Sequence, residues 1–157
     1  MKNKNLSFMT QAAMIAAIYV VLTYIFAPFS FGEVQVRISE ALTILPIFTP
    51  AAIPGLFAGC LIGNILGGAI LPDIVFGSIA TLIGAFFTWK LREQKPVVAT
   101  FPPIISNIII VPFVLRYGYG VTLPIPFMML TVGIGEVISC TVLGLIVYGA
   151  LKKYKST

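Results

Sequence analysis

The sequence predicts an all-α integral membrane protein of six transmembrane helices, and three observations carry that prediction. Of its 157 residues, 59% are hydrophobic and only 10% charged, with a mean hydropathy of +1.04, where soluble domains hold roughly 25% charged residues. Water is therefore not the solvent for most of this surface. The apolar residues come in blocks divided by proline, glycine and charge. At about 20 residues per crossing the length accommodates six spans with short loops and leaves no room for a soluble domain. Third, the basic residues gather at the termini and in one internal loop, as the flanks of membrane helices do.

Span one covers about 6–29. Lys2 and Lys4 precede an apolar run longer than the 7 to 15 residues of a signal-peptide core, roughly sized, so it reads as a retained helix. Pro28 ends it, because proline lacks a backbone donor and restricts the residue before it. Ala12/Ala16 and Ala13/Ala17 repeat at the small-xxx-small spacing that lets another helix approach closely in lipid, although alanine is common in membrane helices for other reasons.

Span two, 38–49, is a short helix with Ser39 as its start, stopped by Thr49-Pro50 and Pro54. Span three, 51–67, carries Gly55, Gly59, Gly63 and Gly67 at every fourth position and hence on one face. Glycine is about 1 kcal/mol worse than alanine in a helix, so this ladder is read as a surface for close helix packing rather than for ligand contact. Gly67 to Pro72 makes a turn, and Asp73 opens span four, 72–90, either as a cap on free amide groups or as a ligand group. The polar loop Lys90 to Lys95 follows. Span five, 97–115, is expected to be one helix bent by Pro102-Pro103 and Pro112, with Ser106 and Asn107 near its middle. Span six, 124–151, carries Glu136 within TVGIGEVISCTVLG.

Several function classes are excluded. The net charge is +5, yet Lys and Arg form no stripe interleaved with aromatics, so no nucleic-acid partner is expected. There is no histidine, which rules out a His-based metal or catalytic site; no metal and no cofactor is expected. Cys60 and Cys140 lie far apart with no CxxC spacing and read as reduced, small core residues. The chain lacks GxxxxGK[ST], so it does not hydrolyse ATP by that route.

Six spans put both termini on one side, and the positive-inside rule makes that side cytoplasmic. Lys2, Lys4, Lys90, Arg92, Lys95, Lys152, Lys153 and Lys155 all lie there, with Trp89, Tyr148 and Tyr154 as interfacial aromatics. Arg37 and Arg116 are left for the opposite face with Glu33, Glu40 and Asp73. On this topology Asn64, Asp73, Asn107 and Glu136 converge on a cavity open to the outside and covered by loops bearing Glu33, Arg37, Arg116 and Tyr117. Short helices broken by Pro and Gly where polar residues gather point to a transporter site. Glu136 carries the most weight, because a charge at the centre of a membrane helix costs about 2.5–3.5 kcal/mol on insertion scales. It either meets donors on a ligand or is protonated or paired with Arg37 or Arg116.

The segments VQVRISEALT, FTPAAIPGLF and LPDIVFGS, with GIGEVISCTVLG near the C-terminus, resemble the QueT family, substrate-binding S components of energy-coupling factor (ECF) transporters assigned to queuosine precursors. The resemblance covers essentially the whole chain. It implies an ECF S-component-like bundle in the cell membrane that captures its substrate outside. It also implies partners: a transmembrane coupling subunit, against which the protein topples, and two cytoplasmic ATPase subunits. Docking on the coupling subunit would fall to Ala12/Ala16 or Ala13/Ala17. A 7-deazaguanine ring offers an N1 hydrogen and a 2-amino group to Glu136 and a carbonyl to Asn107, while Tyr117 or Phe31 would stack on it. The cationic amine of queuine would meet Glu33, Glu40 or Asp73. The expected substrate-binding set is thus Glu136, Asn107, Arg37, Glu40, Asn64, Asp73, Glu33, Tyr117 and Arg116. Rival readings are an S component for another vitamin or nucleobase, a membrane-embedded enzyme using Glu136 as acid or base, and a purely structural membrane subunit.

Overall fold

Proline and glycine placement decides where this chain breaks its helices. The computed structural model describes residues 2–26 and 37–156, with side chains over 5–26 and 37–153. The expected loop residues Phe31 and Glu33 lie outside the described residues. Every regular element described is helical. In chain order they are α1 (Lys2–Ile25), a 3-10 helix (Ile38–Ile47), α2 (Ala52–Leu66), α3 (Leu71–Lys90), α4 (Pro96–Ala99), α5 (Phe101–Tyr117), α6 (Ile125–Glu136), a π-helical segment (Val137–Leu143) and α7 (Gly144–Ser156).

Four stretches are long and apolar enough to cross a bilayer: Asn5–Ile25, Leu71–Lys90, Pro96–Tyr117 and Ile125–Lys153. The 3-10 helix and α2 are apolar but shorter. Large apolar side chains such as Met9, Phe76, Phe87, Ile105, Ile109 and Leu130 stand exposed on the outside of the bundle, which is stable where the surrounding medium is lipid. The chain is therefore an all-helical, multi-pass membrane bundle.

Span five differs from a single bent helix. Pro102 and Pro103 sit in the first turn of α5, where a missing N–H would be unbonded in any case, so the pair starts a new helix after Thr100 instead of bending an old one. Thr100 stitches the break: its hydroxyl donates to Val97 O (2.6 Å) and shares a 3.1 Å hydrogen bond with Thr141.

The bundle is built around the 3-10 helix, which touches α1, α2, α3, α7 and the π segment. It is buried along almost its whole length. Ser39 does not cap it as the sequence reading expects. Arg37 occupies that position, and the first turn closes when Glu40 N–H donates to Arg37 O at 2.9 Å. The Ser39 hydroxyl instead accepts from Thr23 of α1 (2.9 Å).

Around this centre α1 packs on α2, α2 on α3, α3 on α5 and α5 on α6. The glycine ladder of α2 is the seat of α1. A Cβ at Gly55 would lie 2.8 Å from Ala12 O, and one at Gly59 would lie 2.7 Å from Tyr19 Cβ and 3.1 Å from Ala16 Cα. Ala12 and Ala16 are thus half-buried against α2, whereas Ala13 and Ala17 stay exposed. At the ends of α3 and α7, Arg92 stacks over Trp89 (4.4 Å to the ring centroid) and Lys152 lies over Tyr148 (5.8 Å). Such aromatic and basic pairs suit a lipid headgroup level.

Candidate functional site

A helix with three residues per turn stacks side chains three apart, and the 3-10 helix uses this to aim Glu40 and Thr43 along one line below Arg37. All three are buried. Arg37 and Glu40 are therefore not carried on an exposed loop over the candidate site; both are buried inside the bundle. Each carries the chemistry of a charged group removed from water, and each has been given partners.

Arg37 meets Asp73 of α3 at 3.6 Å. Asp73 is not a cap: Ile70 precedes the helix, and Asp73 sits in its first turn, where the positive end of the helix dipole favours a carboxylate. Its other oxygen accepts from Tyr119 (2.7 Å), which ties the loop after α5 to the start of α3. The Tyr119 phenol also accepts the Ile70 N–H at 3.4 Å. Partial burial, with the Asp73 hydrogen bond and charge added, pushes the Tyr119 pKa up to about 12.

Asn64 faces the same pair, with its amide donating to the Asp73 carbonyl at 3.5 Å. Gly77, one turn after Asp73, leaves the room for this. A Cβ there would lie 3.1 Å from Asp73 Oδ1 and 3.3 Å from Asn64 Nδ2.

Glu40 Oε1 accepts from Tyr19 of α1 (2.5 Å) and from Thr81 of α3 (3.4 Å). On the far side Glu136, the last residue of α6, accepts at Oε2 from Asn107 of α5 (3.2 Å) and from the Cys140 thiol (3.2 Å). Cys140 lies in the π segment, a geometry that accumulates at functional positions in helices. Asn107 also donates to Pro103 O (2.8 Å), so in this arrangement its amide nitrogen orients Glu136.

Glu40, Glu136 and Cys140 each offer one ligand-type atom, all within 4.8 Å of one another. The thiol is committed to Glu136 and lies 3.6 Å from the Thr43 hydroxyl, so the trio presents two carboxylates and no free sulfur. Among the described residues, none is a hydrogen-bond partner for the buried Glu40 Oε2, Ser78 Oγ and Ser139 Oγ, which is costly unless something else is bound there.

The structure thus brings together Arg37, Glu40, Asn64, Asp73, Asn107 and Glu136. It does not bring Tyr117 or Arg116. Tyr117 is 76% exposed and stacks on Phe113 (6.4 Å, 5°) along an apolar outer groove of about 520 Å³. Arg116 is exposed. Glu136 hydrogen-bonds an amide and a thiol. Sequence reasoning missed Tyr19, Thr81, Tyr119 and Ser139. Only the three-residue spacing of Arg37, Glu40 and Thr43, and the four-residue spacing of Glu136 and Cys140, signalled which neighbours share a face.

Residues 9–153 match the family model described as QueT transporter. The chain is 33% identical over 84 residues, 52% of its length, to a protein named "Queuosine precursor transporter QueT" from Lactococcus lactis subsp. cremoris (strain MG1363). That match spans about half of the relative, 48% of its length. No solved structure matches the chain.

Proposed function

The chain belongs to the QueT transporter family, and from that premise we propose that it is the substrate-capturing S component of an ATP-driven ECF uptake transporter, taking queuine or a related 7-deazaguanine from the extracellular side. One observation carries the reading. Four ionisable side chains from three separate stretches of sequence, Arg37, Glu40, Asp73 and Glu136, are buried in the bundle. Intramembrane ionisable groups of this kind mark substrate pathways.

The chemistry suits a flat, donor-rich heterocycle. Glu136 accepts the ring N–H and the adjacent amino group through charge-assisted hydrogen bonds, with Asn107 fixing its orientation. Arg37 and Asn64 carry donors suited to the ring carbonyl, and Asp73 an acceptor suited to a cationic side chain. The large grooves on the outside, such as that lined by Phe76, Ile109 and Phe113, are walled almost wholly by apolar side chains and are suited to lipid.

Drive comes from partners, a coupling membrane subunit and two cytoplasmic ATPases. The exposed Ala13/Ala17 face of α1 serves as the docking strip, since Ala12 and Ala16 are already engaged by α2. A shallow groove of about 310 Å³ at the α1–α2 seam, lined by Met9, Ala12, Ala13, Ala16, Pro54 and Ala58 among others, borders that strip. The basic and aromatic ends of α3 and α7 support a reading with both termini in the cytoplasm.

Calorimetric titration of the purified protein with queuine and simpler 7-deazaguanines tests this. Saturable binding is expected, weakened at least about tenfold by Glu136→Gln, the loss of one charged hydrogen-bond acceptor. Absence of binding by all of them would sink the substrate assignment.

A further inference from the structure

We propose that Glu40 and Glu136 act as one two-carboxylate clamp for an amino-amidine edge, a ring N–H beside an exocyclic NH2, and that the empty clamp holds a proton which the ligand displaces. The proposal rests on reading the buried cluster as the substrate site. It adds a second reading group, Glu40, and a proton to each binding event.

Geometry sets the first half. The two carboxylates approach from different elements, Glu40 from the 3-10 helix and Glu136 from the end of α6, with an oxygen of each no more than 4.8 Å apart. An sp2 amino group donating two hydrogen bonds of about 2.9 Å at about 120° spans acceptors roughly 5 Å apart. Tyr19 and Thr81 both donate to Glu40 Oε1, and among the described residues no donor reaches the buried Oε2. An amino group straddling the pair supplies that donor, and the neighbouring ring N–H goes to Glu136.

Charge sets the second half. Among the described residues the buried charged side chains are Arg37, Glu40, Asp73 and Glu136, three acids to one base, and the base is ion-paired with Asp73. The groups facing the two carboxylates are Tyr19 from α1, Cys60 from α2, Thr81 from α3, Asn107 from α5, Cys140 from the π segment and Arg37 before the 3-10 helix. Arg37 alone of these is a cation. Two carboxylates so close in a dry interior do not both ionise unless a compensating charge or enough hydrogen-bond donors to both of them are present. The empty pair therefore carries a proton. A ligand edge made of donors needs acceptors only: the carboxylic O–H breaks, the proton leaves to solvent, and the carboxylate formed accepts the ligand N–H.

The first measurement needs no ligand: infrared spectroscopy of the protein in lipid nanodiscs at neutral pH. A buried carboxylic acid C=O band that disappears in Glu40→Gln or shifts in Glu136→Gln supports the shared proton, and no such band in the wild type overturns it. The second compares 7-deazaguanine with 7-deazahypoxanthine, which lacks the 2-amino group, by calorimetry in two buffers of different ionisation enthalpy. The wild type is expected to bind the first at least about tenfold more tightly and to release about one proton. Equal affinities, or no proton release, overturn the clamp. Because Tyr19 and Thr81 hold Glu40, Glu40→Asp is the companion variant should Glu40→Gln not fold. It keeps the charge but withdraws it, and it is expected to lose most of the discrimination while retaining the band. If neither base binds while the band is present, the substrate reading fails and takes the clamp with it, but the shared proton stands.

Discussion

Arg37 and Asp73 meet at 3.6 Å with 2% and 1% of their side chains exposed, joining the start of the 3-10 helix to the first turn of α3. Removing one partner of a buried pair leaves an uncompensated charge, typically at a cost of about 3–5 kcal/mol, whereas replacing both by apolar groups is often neutral. Arg37→Met and Asp73→Leu are each expected to lower the midpoint of thermal unfolding in detergent strongly, and the double variant to recover much of the loss. Equal damage in all three would show that the pair does not act as a unit.

Tyr119 provides a pH signature of the same corner. Its pKa is pushed up to about 12 by partial burial and by the hydrogen bond and charge of Asp73, against about 10 in an unfolded chain. A raised pKa means that the folded state holds the proton more tightly. The stabilisation is fully present below pH 10 and is lost as pH rises through 12. In an ultraviolet absorbance titration, Tyr119→Phe is expected to remove a tyrosine that titrates at about 12, together with the extra alkaline loss of stability as pH rises from about 10 to 12.

Much of the bundle is legible in the sequence because its breaks are made by residues with one physical meaning. Pro50 and the Gly67-Gly68 turn fall between elements where expected, whereas Pro54 does not end an element and lies in the first turn of α2; Gly68 adopts a φ of +82° that other residues rarely take. The convergence of Asn64, Asp73, Asn107 and Glu136 is likewise readable, since polar residues in lipid seek one another. The depth of Glu40 is not. Read as an α-helix, residues 38–48 rotate about 100° per residue; as a 3-10 helix they rotate about 120° and rise further, which carries Glu40 inward beneath Arg37. Nor do hydropathy patterns separate Tyr117 from Tyr119. At Gly118 between them a Cβ would lie 2.6 Å from Val114 O and 2.8 Å from Ile70 Cδ1; one tyrosine stacks outside on Phe113 and the other donates to Asp73.

Close helix contacts make a third prediction. A Cβ at Gly84 would lie 2.6 Å from Pro103 Cα, and one at Gly59 would lie 2.7 Å from Tyr19 Cβ. Proline backbone cannot move aside, so Gly84→Ala separates α3 from α5 and is expected to destabilise by about 1–3 kcal/mol or more. Gly59→Ala disturbs the α1 seat and, through Tyr19, Glu40. Gly149, around which a Cβ would meet nothing, is the control, and Gly149→Ala is expected to be neutral or slightly stabilising. Thermal unfolding of the three variants tests the order.

Ser106 and Asn107 are neighbours on α5 with different jobs, which separates packing from recognition in one pair of substitutions. Ser106 donates to Ala80 O of α3 (2.9 Å) and to Pro103 O (3.2 Å), a link between two helices. Asn107 donates to Glu136 Oε2 (3.2 Å). Losing a neutral hydrogen bond costs about 1 kcal/mol, and one to a charged group about 1.5–3 kcal/mol, where each 1.4 kcal/mol is a factor of about ten. Ser106→Ala is therefore expected to lower thermal stability with 7-deazaguanine affinity unchanged. Asn107→Ala frees Glu136 to rotate away from its binding orientation and is expected to weaken affinity about ten- to a hundredfold. The contrast follows from direction alone: one side chain points at a backbone carbonyl of α3, the other at the carboxylate. If Ser106→Ala weakened binding as much as Asn107→Ala, α5 would be transmitting strain into the site, and Asn107 would lose its claim to orient Glu136.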